Sequence, residues 1–270
     1  MTSPSDPLTL LLGQTMRSVG FLSRLPVAPR WYASAPASVM RDDARAFPLA
    51  GVLIAAGPAL LLLVLDVLGV PAIMATTFAV LALVAVTGAL HEDGLGDVAD
   101  GFGGGADKER RLEIMKDSNI GTYGAIAIAG SLMLRVAGLT AIVAAYGSFA
   151  ACIALLAVTA CSRTAIVWIW ASMPNARGAG VAHEQGAPSD SAVSAAAIFG
   201  LGVFAVLATA TTGIVNAAAA LLLALAAMQA FSRLCRRMIG GVTGDVLGAS
   251  QQIVEIMLLT GLALGISIPT

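Results

Sequence analysis

Along this chain long apolar runs alternate with short polar ones, on a rhythm set by the width of a bilayer. A helix needs about 20 apolar residues to cross a hydrocarbon core. Seven stretches qualify: 49–68, 72–90, 122–146, 149–172, 193–211, 213–231 and 251–268. The joints at 69–71, 147–148 and 212–213 are so short that the helices they connect must run antiparallel. Upstream, Leu8, Leu11, Leu12, Met16, Val19 and Leu22 recur at helical spacing, with Arg17 and Arg24 on the other side. That stripe predicts a helix lying in the membrane interface, or packed on the polar side of the bundle. No cleavable leader is expected, because the first leucine run is short and Arg17 follows it. The predicted fold is all-α: a polytopic integral membrane helical bundle of about seven transmembrane helices, one membrane-embedded domain over 1–270.

Composition agrees with this reading. Of 270 residues, 58% are hydrophobic and 11% charged, and the mean hydropathy is +0.88. About a quarter of a soluble domain is charged, so this chain lacks the polar surface to cover itself in water. The net charge of −1 says little about partners, and no nucleic acid is expected among them. Cys152, Cys161 and Cys235 are odd in number and lack metal-ligand spacing, and are expected to be small buried residues. Ala and Gly are frequent in the spans, which lets membrane helices approach closely.

Charge fixes the sidedness. With seven spans, thirteen of the fifteen Lys and Arg fall on one side: before the first span, and between the second and third, fourth and fifth, and sixth and seventh. By the positive-inside rule that side is the cytoplasm, so residues 1–46 are cytoplasmic and the C-terminus is outside. Six spans would break this segregation. The other two basic residues, Arg135 and Arg163, lie inside spans, where an arginine is costly and faces the bundle interior or a wet cavity. Arg163 could reach a phosphate or pair with Glu255; Arg135 is deeper and is expected to snorkel outward.

The chemistry gathers at the cytoplasmic end of the second span, in residues 91–101, His-Glu-Asp-Gly-Leu-Gly-Asp-Val-Ala-Asp-Gly. Asp93, Asp97 and Asp100 are four and three residues apart, so a helix puts them on one face. Like charges so placed repel unless a cation or a basic partner neutralises them. Oxygen-only ligands suit Mg²⁺, which is held by one or two carboxylates plus substrate phosphates; a solvated acidic face is the alternative. The glycines of 101–105 are either a flexible turn or a surface for phosphates, and there is no P-loop. Asp107 is placed to cap a short charged helix whose Arg110, Arg111 and Lys116 would lie beside the carboxylates. The glycine-rich run 240–248 adds Asp245, while His183 reads as an ordinary loop histidine. Together these groups suggest Mg²⁺-assisted phosphoryl transfer, with a carboxylate or His91 orienting the nucleophile.

Several of these segments carry a family resemblance. The chain resembles the cobalamin synthase family, the adenosylcobinamide-GDP ribazoletransferases, in Arg24-Leu25-Pro26-Val27, Phe47-Pro48-Leu49-Ala50-Gly51, the 91–101 run, residues 111–118 (Arg-Leu-Glu-Ile-Met-Lys-Asp-Ser), Gly121-Thr122, Ser162-Arg163 and 241–248. The resemblance implies the last assembly step of adenosylcobalamin. In it, the 3′-hydroxyl of α-ribazole, or of its 5′-phosphate, attacks the phosphorus on the aminopropanol arm of adenosylcobinamide-GDP and GMP leaves, with Mg²⁺ required. With the residue reading, the candidates are His91, Asp93, Asp97 and Asp100 for catalysis, the three aspartates as metal ligands, and Arg111, Lys116, Arg163 and Asp245 as substrate contacts; neither the residues nor the resemblance divides the carboxylates between ligand and base. The expected setting is the bacterial cytoplasmic (inner) membrane, with the lipid bilayer as partner; a homo-oligomer, or association with other corrinoid-assembly enzymes, is compatible with it. Glu92 fills a variable position and receives no role. A CDP-alcohol phosphotransferase would need an Asp-Gly-x-x-Ala-Arg start that is absent here. A transporter would place polar groups at the midplane of paired broken helices rather than on one side.

Overall fold

The apolar runs fold into helices, and Gly, Pro and polar residues end them. The computed structural model describes residues 7–32, 40–178 and 185–266; His183 and the last residues of the 251–268 run lie outside them. The helices are α1 (Pro7–Leu22), α2 (Met40–Asp43), α3 (Phe47–Val67), α4 (Ala72–Thr87), α5 (Leu90–Gly104), α6 (Lys108–Ile114), α7 (Thr122–Tyr146), α8 (Ser148–Ser172), α9 (Asp190–Thr212), α10 (Ile214–Met238) and α11 (Gly244–Leu262).

By length and apolarity, five helical stretches among the described residues can cross a membrane: Met40–Val67, α7, α8, α9 and α10. A sixth is reached only if α4 and α5 are one span, and these are bent by 88°. The expected seven are not reached, for two reasons. The 72–90 run is cut at Thr87, because Gly88 (φ 64) and Ala89 (φ 58) take left-handed backbone and turn the chain into α5. The final run becomes α11, which carries Gln251, Gln252 and Glu255 inward and buries 13 of its 19 residues. It still runs back along α10: it starts beside the end of α10, and the Leu262 carbonyl accepts from Asn216 Nδ2 near the start of α10 at 3.0 Å.

α8 is the central post, packed against α3, α9, α11 and α7. The interior is made of Phe47, Ile54, Leu62, Leu139, Leu155, Phe204 and Leu258, all within 1% of full burial. Large apolar side chains such as Leu60, Met133, Phe149 and Ile198 point outward. In water such a surface is a liability; against lipid tails it meets its own kind. All three cysteines are buried, as expected.

The loops that carry the basic residues gather at one end. Val242 N donates to the Pro174 carbonyl and Ala176 N to the Val242 carbonyl, both at 2.9 Å. Arg236 donates to the Ser172 carbonyl at 2.9 Å, and Arg111 to the Met238 carbonyl at 3.1 Å. At the other end Ser148 Oγ bonds Asp66 at 2.6 Å. A second small core (Val98, Met115, Ile169, Met173, Ile239, Val242, Val246) lies under the basic end and fixes α5 to its neighbours. α1 packs with Gln14, Thr15, Ser18, Val19 and Leu22, while Leu8 and Leu12 of the expected apolar stripe stay exposed; Arg17 is tied to Asp43 at 2.6 Å.

Candidate active site

The bend after α4 lays α5 across the basic end of the bundle, where it can carry polar residues without entering lipid. Gly94 brings α5 against α11: a Cβ there would sit 2.6 Å from the Asp245 carbonyl oxygen. Asp245 therefore lies alongside Asp93 and Asp97. Asp93 is exposed; Asp97 and Asp245 are half-buried. Burial, with Asp245 and Asp93 close by, pushes the Asp97 carboxyl up to about 7. Asp245 is also raised by burial, against Arg177, which pairs with it at 3.1 Å. Among the described residues no three His, Cys, Asp or Glu side chains come together closely enough to hold a metal ion.

Asp100 is placed apart from its two partners on the helix. Its Oδ2 accepts from Gly121 N at 2.7 Å and its Oδ1 from Gly124 N at 2.8 Å, so it satisfies free N–H groups at the start of α7. Both oxygens of this expected ligand are thereby engaged by backbone.

Of the three expected cations, Lys116 alone lines the cleft over the carboxylates. This cleft, about 280 Å³, is walled by Asp93, Asp97, Lys116, Asp117, Ser118 and Asn119. Asp117 accepts from both nitrogens of Asn119 and shapes the turn, and those bonds lower its pKa. Arg110 pairs with Glu113, and Arg111 bonds the carbonyls of Met238 and Ala106, which leaves it structural work between loops. Asp107 caps α6 by accepting from Arg110 N at 2.8 Å, as the sequence predicts.

A second cavity, about 220 Å³, opens on the other side of Asp93. Phe21, Leu22, Phe47, Ile166, Trp170 and Leu247 give it apolar walls, and His91 and Asp245 also border it. His91 is buried, and burial first, then Arg163 and Arg135, lower its pKa well below the ordinary value, so it is neutral. Its Nε2 has no hydrogen-bond partner, and neither has Trp170 Nε1.

The two arginines inside the spans are fully buried and share acids. Arg135 pairs with Glu92 at 2.7 Å and contacts Glu255 at 2.8 Å, a close ion contact poorly aligned as a hydrogen bond. Arg163 pairs with the other oxygen of Glu255 at 3.1 Å. Gln251 donates to Glu255, and Gln252 donates to Glu92 at 3.0 Å. Arg135 thus turns inward rather than snorkelling outward, and of the two readings of Arg163 the Glu255 pair is the contact present.

Sequence reasoning missed Glu92 as the partner of Arg135, Arg177 as the partner of Asp245, and Trp170. The first was within reach, since a mid-membrane arginine demands an acid. Trp170 carries no signal in an apolar run.

Comparison with known proteins adds the following. The family model described as cobalamin-5-phosphate synthase matches residues 14–263. A protein of Sinorhizobium sp. named adenosylcobinamide-GDP ribazoletransferase is 45% identical over 249 residues, covering 92% of this chain and 95% of its own. Proteins of the same name from Brucella ovis and Brucella canis are 41% identical over 256 residues, covering 95% of this chain and 98% of theirs. No solved structure matches the chain.

Proposed function

Since the chain belongs to the cobalamin-5-phosphate synthase family, we propose that it is an adenosylcobinamide-GDP ribazoletransferase of the cytoplasmic face of a bacterial inner membrane. It joins adenosylcobinamide-GDP to α-ribazole, or to α-ribazole 5′-phosphate, and gives adenosylcobalamin, or its 5′-phosphate, and GMP. The observation that carries this reading is the position of Asp93, where a polar cleft bearing Lys116 meets an apolar cavity. A diphosphate suits the cleft, and a hydroxyl delivered from the other side meets it at a carboxylate.

The 3′-oxygen forms a bond to the phosphorus of the aminopropanol phosphate as the bond from that phosphorus to the bridging oxygen breaks. The hydroxyl proton passes to Asp93, and the bridging oxygen leaves as part of the GMP phosphate. Lys116 offsets charge on the phosphates as it is redistributed. The oxygen donors Asp93 and Asp97, beside Asp245, fit Mg²⁺. An ion that leaves most of its shell to water and substrate phosphate needs only one or two carboxylates, which suits a site where no three gather. Bound Mg²⁺ would neutralise the diphosphate oxygens. Asp100, engaged at α7, and Arg163, paired with Glu255, act in this reading as supports. The gathering of basic loops at the same end supports a cytoplasmic site.

Purified protein in detergent, given adenosylcobinamide-GDP, α-ribazole and Mg²⁺, should release GMP, and chelation of Mg²⁺ should stop it. Asp93→Asn should lower turnover by about 10²–10⁴, the contribution typical of a positioned general base. No GMP from the wild-type protein would sink the assignment.

A further inference from the structure

We propose that the cleft between α9 and α10 seats one acyl chain of an anionic phospholipid, whose phosphate meets Arg233 and Arg236 at the basic end of the bundle. This site is separate from the acidic cleft, and the inference does not depend on the reaction. α9 and α10 form a hairpin about Gly213, yet α9 packs chiefly on α8 and α10 chiefly on α11. Between them lies a cleft of about 180 Å³. Ala197 and Leu201 give one wall, and Leu225 and Gln229 the other. Buried small residues, Ala165 and Ala224, make its floor. A chain lodged there touches several helices at once, which a lipid sliding past a single helix does not.

The charge at the mouth names the occupant. Arg233 follows Gln229 by one turn and Arg236 follows Leu225 by three, so both rise from the α10 wall towards the basic end. Arg236 donates to the carbonyl of Ser172, which stands one turn beyond Trp168 of the cleft lining, and so it spans the mouth from α10 to α8. Both arginines are exposed, and among the described residues neither pairs with a carboxylate. Thr164 in the lining is already bonded to the Ala196 carbonyl at 3.1 Å. Gln229 is exposed and has no partner among the described residues, so its amide is open to a ligand. One turn, about 5.4 Å, separates it from Arg233, which suits the ester carbonyls that lie below a phospholipid phosphate. Trp168 fits the same interfacial level. A free anion would leave the apolar cleft unfilled. A second copy in the same membrane orientation would bring its own arginines to the same level, where like charges repel. A zwitterionic headgroup carries a cation of its own against the two arginines.

The test uses delipidated protein in detergent, titrated with phosphatidylglycerol or with phosphatidylcholine of the same chains and read by native mass spectrometry. One phosphatidylglycerol should stay on each chain at concentrations where phosphatidylcholine does not. Arg233→Gln and Arg236→Gln should each weaken its binding roughly fivefold, the worth of one basic residue near an anionic surface. Ala197→Phe, which fills the cleft and keeps both arginines, should abolish retention. Leu201→Phe, at a more exposed position of the same wall, carries that expectation if Ala197→Phe fails to fold. Equal retention of the two lipids overturns the headgroup assignment. Phosphatidylglycerol that still binds to the filled cleft overturns the seat, since the basic rim alone would then hold it. A lipid-free dimer that the filling variants dissociate would give the cleft to a second copy and overturn the proposal.

Discussion

Asp97 is a carboxyl whose proton is governed by its neighbours. Its folded-state pKa, about 7, stands above the ordinary 3.8 of an unfolded chain. In the metal-free protein its stabilising contribution is therefore complete at acid pH and is lost as pH rises towards and through 7. A cation must displace the proton, so binding strengthens as pH rises. The thermal shift produced by Mg²⁺ should accordingly be larger at pH 8 than at pH 6, and Asp97→Asn should make the two equal. An unchanged difference in that variant would remove Asp97 from the metal site. The pairing of Asp93 with Asp97 was legible in their spacing. That Asp100, on the same face, turns to the N–H groups of Gly121 and Gly124 was not, because periodicity names a face and not what packs against it.

At the scale of elements, the apolar runs predicted the helices well and the crossings less well. Gly88 marks a helix end in the sequence, but Ala89 carries no sign that it too will take φ 58 and throw α5 sideways. α11 was read as a lipid-crossing span from its Leu, Ile and Val; its Gln251, Gln252 and Glu255 instead serve α5, α7 and α8. These polar groups knit four helices, so each single removal leaves the buried cluster with an unbalanced charge. Arg163→Met and Glu255→Gln should each destabilise the protein by about 3–5 kcal/mol. The double variant should recover much of that loss where the pair alone is at stake. Thermal unfolding in detergent, read beside adenosylcobinamide-GDP affinity, decides the role of Arg163: a selective loss of affinity in Arg163→Lys with the fold intact would return it to the substrate.

On the scale of the whole molecule, the clustering of basic residues was legible, since the positive-inside tendency groups them on one side of a membrane protein, and loops that bear them are bonded together at one end. The apolar cavity beneath them was invisible, because its walls are spelled in the same residues as the lipid-facing surface. The interior quartet of Arg135, Arg163, Glu92 and Glu255 has one more consequence. Two positive and two negative charges sum to zero, so the electric field across an energised membrane exerts no net force on the core. One unbalanced elementary charge crossing that field would couple to it by about 2.3 kcal/mol per 100 mV. Transfer measured in proteoliposomes should therefore be indifferent to an imposed diffusion potential of either sign, and a voltage-dependent rate would mean that the quartet carries net charge.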